Sequence, residues 1–502
     1  MAAWLACLVV LPVAAAQALD GYRVAGIVVN AASGQPIGRA SLNLTPIERD
    51  EQPLSTISGD DGRFAFMGLP SGKYQLAGQR RGFLAGNSSG AIVAGPDRNT
   101  ENILLRLSPP GIISGKVVDD AGEPVAQALV ELLGSRIVEG RRRLAAVSSQ
   151  RTDDTGEYRF LSLAAGSYYL VASGVPWYTE FDETMGESAS PNMTHTGYGV
   201  RYYPNADEPS AAQPLMLKPG HESTANFTLA PVPAVSVYVH CAPDDNLTIR
   251  YSLTAVGFPG NPVNIREGSE SGDLYHFSGV PPGSYTFRAE ATDGNHAWYG
   301  TSQFDVASAD RDVSVTLRQA ASLSGTIAAA GAGNLPPRLT VLLHDEIGNS
   351  VALPVDAGGR FSTLAIAPGR YGVSLAGAEE YFLKHEGQTV DIAAGPAVRL
   401  SLSVVPGVGR VAGKVYRDGA PLSSALVVLA PAGRAVQTNS DGSFEFRGLP
   451  VGEYALFAVD DGDDVEYANP AAVLPYLSAA RKLHVVTGES DNVRLEAVPL
   501  RQ

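Results

Sequence analysis

Three aromatic pairs carry the most specific chemistry in this sequence: Trp177-Tyr178, Tyr202-Tyr203 and Trp298-Tyr299. Flat aromatic faces are surfaces on which a sugar ring stacks, while nearby amide and carboxylate groups bind its hydroxyls. Glu180, Asp182, Asn192 and Asn205 supply such groups around the first two pairs. Beyond Trp4, Trp177 and Trp298 are the only tryptophans, and each follows a tyrosine-containing segment of similar pattern. A shared role at one edge of a fold is expected for them. Tyr381-Phe382 and Tyr467 hold similar places further along. The same rings would serve equally to plug the end of a core or a junction between modules. The six residues of the three pairs are the candidate ligand-binding set.

Catalytic patterns do not accompany them. A zinc carboxypeptidase needs His-x-x-Glu and a distant third ligand, and none of the eight histidines has a glutamate three residues on. The sequence has no His-Glu-x-x-His, no phosphate-binding loop and no dinucleotide fingerprint. Cys241 adjoins His240, but neighbours on a strand point to opposite faces, so the pair cannot act as nucleophile and base. Acidic residues cluster at Asp60-Asp61, Asp153-Asp154 and Asp460 to Asp464. The first two precede glycines and read as turn formers, and the third lacks the spacing of a calcium loop and reads as a solvated loop. The expectation is a non-enzyme with no metal and no cofactor.

Charge narrows the partners. A formal net charge of −15 without a long basic run opposes nucleic acid and anionic membrane surfaces. Leu5 to Val13 is apolar and Ala16-Gln17-Ala18 is a small-x-small cleavage site, so residues 1–18 are expected to be an export signal, although no Lys or Arg stands before the apolar run. Removing them leaves Cys241 as the single cysteine, so no intrachain disulfide is possible. No other stretch nears the roughly 20 apolar residues of a spanning helix.

The elements that must position these groups announce themselves by repetition. A turn residue, two alternating aromatics, a short loop, a glycine and a tyrosine recur five times at one spacing. The copies centre on Gly62, Phe64, Phe66, Gly72 and Tyr74; on Gly156, Tyr158, Phe160, Gly166 and Tyr168; on Asp273, Tyr275, Phe277, Gly283 and Tyr285; on Gly359, Phe361, Gly369 and Tyr371; and on Gly442, Phe444, Phe446, Gly452 and Tyr454. The aromatic pair is expected to form the central strand, and aromatics two apart share a strand face, which places them in a core. Each copy opens on an apolar strand around a glycine (Gly26, Gly115, Gly325, Gly413), which the third copy lacks, and closes on another alternating strand.

About seven short antiparallel strands per copy give an all-β fold: five Ig-like or transthyretin-like sandwich modules joined by proline-containing linkers into an extended rod. The expected modules are 19–108, 109–231 with an insertion at about 174–214, 232–319, 320–405 and 406–502, the third and fourth being degenerate.

The opening strand, the Asp-Gly-x-Phe-x-Phe turn, the Leu-Pro-x-Gly-x-Tyr step and the closing strand together resemble carboxypeptidase regulatory-like domains of the exported bacterial type. The resemblance covers nearly the whole chain after residue 18. It implies a transthyretin-like or starch-binding-like sandwich that accompanies metallocarboxypeptidases without being their catalytic part. The expected function is an exported, non-catalytic binding or scaffold protein of the cell envelope, adhesive or carbohydrate-binding, with a polysaccharide, an envelope component or a protein as partner. The alternative is an accessory protein for an exported peptidase or glycosidase encoded separately. Its place is periplasmic, cell-surface or extracellular.

Overall fold

The structure, a computed structural model, describes residues 21–500 except 99, 139, 178–195, 242–247, 259–260, 267–268, 293–295, 331–334, 337, 346–349, 378–380, 385–387, 396, 408 and 487–489. The expected export signal, Tyr178, Glu180, Asp182 and Asn192 lie outside the described residues. The chain divides into two compact units, one of residues 1–107 with 439–441 and one of 108–438 with 442–502.

The first unit shows the plan that the modules share, except that in the fifth the closing strand Ser490–Pro499 pairs with strands of both sheets and joins them. Strand Tyr22–Asn30 pairs antiparallel with Arg63–Leu69 and parallel with Ile103–Leu107, forming one sheet. The second sheet runs Leu54–Ile57, Ser41–Pro46, Gly72–Gln79, with Gly86–Asn87 and Ile92–Ala94 completing its edge. Phe64 and Phe66 are buried between the sheets with Tyr74 and Leu76, and the two rings meet edge to face at 6.1 Å. Burying side chains of this size contributes roughly 1.5–3 kcal/mol each. Tyr158–Phe160 and Phe444–Phe446 repeat the arrangement.

Two expectations about the sheets are corrected. The closing strand runs parallel to the opening strand in all five copies, where an antiparallel sheet throughout was expected. It arrives from the other sheet rather than through a hairpin, so nothing forces it antiparallel. The aromatic strand was also expected at the centre of its sheet. The opening strand lies between the aromatic strand and the closing strand instead, and only in the third module is the aromatic strand also inner, with Ser269–Ser271 on its far side.

That position explains the opening glycine. A Cβ on Gly26 would lie 1.9 Å from the Ile103 carbonyl oxygen, and one on Gly115 would lie 1.8 Å from that of Ala225. At Gly413 the Val493 oxygen would be 2.0 Å away, and at Gly325 a Phe361 ring carbon 2.2 Å. The glycine admits the third strand and the first aromatic at once. In the third module Val239 takes this register position, opposite Tyr275 and Val313.

Within the second unit the modules are also joined beyond the linkers. Leu133, Val171 and Tyr202 of the second module enter the core cluster of the third. Thr196–Tyr198, from the insertion, pairs with linker residues Pro231–Pro233. The hairpin of Leu129–Val138 and Arg141–Arg151 reaches the fifth module: Ala468 N donates to Gly140 O at 2.9 Å, and Arg142 pairs with Asp464 and Glu466 at 3.6 and 3.5 Å. A rod whose modules touch only their chain neighbours is therefore not what this unit forms.

The fifth module carries a helix that the all-β reading did not anticipate, Pro470–Leu477. Asn469 caps it by accepting from Ala471 N, and proline follows at the first helical position. Its Tyr476 stacks on Phe457 at 5.1 Å, covering the outer sheet face with Val428, Val459 and Val473.

Candidate functional site

The repeated polar groups are engaged by the fold itself. All five repeat tyrosines donate their hydroxyl to the carbonyl four residues earlier: Tyr74 to Pro70, Tyr168 to Ala164, Tyr285 to Pro281, Tyr371 to Ala367 and Tyr454 to Pro450, at 2.7 to 3.0 Å. This pins the bend of the Leu-Pro-x-Gly step against the strand that follows.

The turn glycines Gly62, Gly156, Gly359 and Gly442 hold φ of 75 to 77°, and their carbonyls accept from the opening strand. In the third module Asp273 accepts the equivalent bond from Cys241, while Gly272 beside it takes the positive φ of 64°. The substitution that made this copy look degenerate is thus met by moving the glycine one position back.

The carboxylates behave as turn formers. Asp153 Oδ1 accepts from Thr155 and from the Glu157 backbone N–H, and those bonds, Thr155 first, lower its pKa below the usual carboxylate range. Asp356 accepts in the same way from Gly358 and Arg360. In the acidic run Asp460 pairs with Arg417, Asp463 accepts from Gln437, and Asp464 pairs with Arg142. Their partners lie in three different strands, so they do not converge on one point. Among the described residues no group of three or more His, Cys, Asp or Glu could hold a metal ion. Cys241 is buried, which pushes its thiol pKa up, while His240 is exposed and lies 3.7 Å from Asp312.

The candidate aromatics separate into distinct environments. Trp177 follows strand Gly166–Ser173 and is 65% exposed, next to the 178–195 stretch. Trp298 is half-buried inside strand Ala297–Val306, opposite Ala291 and Gln319, with His296 edge-on at 5.9 Å. Only one of the two tryptophans therefore lies in a strand, and the equivalence suggested by their spacing does not extend to pairing. Tyr299 is half-buried beside it, and burial raises its pKa.

Tyr202 is 2% exposed and meets Phe258 edge to face at 5.3 Å, so its ring belongs to the junction between the second and third modules and has no face for a ligand. Tyr203 is half-buried and packs against Phe227 in the core of the second module. Asn205 is exposed, and its side-chain oxygen accepts from Thr228 N at 2.9 Å.

Burial, followed by the nearby Glu208, pushes the Tyr202 hydroxyl up to about 12 from 10.0. Because the folded pKa is the higher one, its stabilising effect is complete below pH 10 and is lost as pH rises toward 12. Alkaline denaturation followed by tyrosine absorbance and circular dichroism should show a shallower loss over that window in Tyr202→Phe than in the wild type. Equal slopes would remove Tyr202 from the account of alkaline unfolding.

A second aromatic site was only partly visible in the sequence. Between the fourth and fifth modules a cleft of about 640 Å³ is lined by Tyr381, Phe382, Lys384, Arg434, Glu453 and Tyr454, among others. Tyr381-Phe382 had drawn notice as aromatics, but Arg434 and Glu453 come from another module and share no spacing with them.

Two tandem segments, residues 23–106 and 112–230, match the carboxypeptidase regulatory-like domain family. No curated protein matches the sequence significantly. Among solved structures, the Bacillus anthracis TIE protein aligns at 13% identity over 77% of this chain and 75% of its own, with a TM-score of 0.19. The minor pilin GBS52 of Streptococcus agalactiae aligns at 15% identity over 42% and 97%, with a TM-score of 0.23. The shaft pilin SpaA of Lactobacillus rhamnosus GG aligns at 10% over 42% and 98%, with a TM-score of 0.21. Superpositions at those scores carry no argument about this chain. Among the described residues no helix is long and apolar enough to cross a membrane.

Proposed function

We propose that this chain, whose residues 23–106 and 112–230 are carboxypeptidase regulatory-like domains, is an exported, non-catalytic binding and scaffold protein of the cell envelope that holds polysaccharide. The observation carrying this reading is the exposed indole of Trp177, just past a repeat whose tyrosine hydroxyl and turn carboxylate are engaged in the bend and the turn. A flat exposed ring suits a pyranose face, and weak sites distributed over several modules gain avidity by acting together. Trp298 is the weaker candidate, because it is already half-buried.

Retention of the full chain on insoluble polysaccharide tests the reading. Trp177→Ala should reduce retention severalfold while leaving the melting temperature unchanged, and Trp298→Ala should cost more stability than binding. Full retention in Trp177→Ala, or failure of the wild type to bind any insoluble polysaccharide or glycan array, overturns the proposal.

The family match favours one other reading, an accessory protein that positions an exported peptidase or glycosidase. Co-purification of such a hydrolase with the chain, without any glycan binding, would select it.

A further inference from the structure

The cleft between the fourth and fifth modules, inside the second unit, brings together groups that the repeat does not supply. The strand Tyr381–Leu383 lies along the intermodule linker, with Tyr381 opposite Pro406 and Leu383 opposite Val404. The second and third modules are joined by the same device, Gly197 opposite Val232. In both cases the linker residue stands three before the one that pairs with the residue preceding a Pro, Val235 with Val280 and Gly409 with Leu449. Gly197 and Tyr381 are therefore equivalent.

Their surroundings differ. At Gly197 the junction is closed, since a Cβ there would lie 2.6 Å from the Gly279 carbonyl oxygen. At the fourth junction the equivalent residue is an aromatic, and a cleft of about 640 Å³ remains beside it. That volume falls within the roughly 300–1,000 Å³ of small-molecule sites, which favour boundaries between domains.

The charges in the cleft run against those of the chain. Lys384 is exposed at its rim, its backbone held by the Ser403 carbonyl at 2.8 Å. The Arg434 guanidinium is fixed by donating to the Arg447 carbonyl at 3.0 Å. The Glu453 carboxylate is met by His484 at 2.7 Å. Two cations and one carboxylate thus line the cleft with Tyr381 and Phe382, in a molecule of net charge −15.

We propose that this cleft binds a carboxylated sugar unit of an acidic polysaccharide, with the ring against Tyr381 and Phe382 and the carboxylate against Lys384 and Arg434. A neutral sugar offers these cations no opposite charge, whereas a carboxylate forms charge-assisted hydrogen bonds with them. The inference rests on the polysaccharide-binding reading above and names the chemical class of the ligand.

Calorimetric titration of the full chain with trigalacturonate and with neutral cellotriose tests it. Trigalacturonate should bind more tightly, and increasing salt should weaken it. Lys384→Glu should weaken trigalacturonate by about tenfold or more, the scale of losing one hydrogen bond to a charged group, and Lys384→Arg should restore it. Lys384 is exposed, so both variants should keep the wild-type melting temperature. Tyr381→Ala should weaken both saccharides.

Equal affinity of the wild type for the two saccharides, or unchanged affinity in Lys384→Glu, overturns the assignment. If retention on insoluble polysaccharide still depends on Trp177 in that case, the cleft is wrong and the broader reading stands. If the wild type binds no polysaccharide at all, both fall.

Discussion

Gly115→Ala should unfold the second module or lower its stability by more than about 3 kcal/mol, beyond the usual range for overpacking in a core. The added Cβ would meet the Ala225 carbonyl oxygen at 1.8 Å and the Tyr158 hydroxyl at 2.8 Å. Backbone cannot yield there without separating the closing strand, whose parallel pairing with Gly111–Asp119 completes the sheet. Gly199 is the matched control: a Cβ added there would have nothing within 4 Å, so Gly199→Ala should leave stability unchanged or slightly raised, by up to about 1 kcal/mol. Urea denaturation monitored by tyrosine fluorescence measures both. Similar midpoints for the two variants would show that the opening glycine is not required by strand approach.

The second large effect is expected at the repeat tyrosines. Tyr285→Phe keeps the ring in its core but leaves the Pro281 carbonyl without the 2.7 Å bond it accepts. Tyr285 is 2% exposed, so water cannot readily replace the hydroxyl, and the loss should be about 1–3 kcal/mol. Burial also raises its pKa, so the bond survives well into the alkaline range. Tyr454→Phe removes the same bond at a longer 3.0 Å, beside a cleft, and should cost less. Thermal melts of the two variants rank them, and a larger loss at Tyr454 would contradict the burial argument.

Much of the fold was legible because period and turn chemistry are local. Phe64 and Phe66 were two apart, and Gly62 followed Asp61, so strand, face and turn could be read without knowing any partner. The opening glycine could be noticed but not explained, since its reason is a carbonyl some 75 to 110 residues away, as in Gly26 with Ile103 and Gly115 with Ala225. The parallel closing strand was hidden for the same reason: alternation reports a strand and its buried face, not its direction.

The candidate site was less legible. Adjacency to Tyr203 marked Tyr202 as one of an aromatic pair, but its burial is decided by Phe258 of the next module. The cleft beside Tyr381 draws Arg434 and Glu453 from a different module, so no spacing in the sequence could unite them. The helix Pro470–Leu477 did leave a signal, Asn469 before Pro470, but one short helix does not show in a pattern dominated by strands.

The central claim is that the repeated residues build the modules and that binding lies beyond them. Retention on insoluble polysaccharide, measured for Trp177→Ala and Tyr285→Phe at a temperature where both are folded, tests it most directly. The account predicts that Tyr285→Phe, though less stable, is retained like the wild type, while Trp177→Ala is released. Release of Tyr285→Phe with full retention of Trp177→Ala would contradict it.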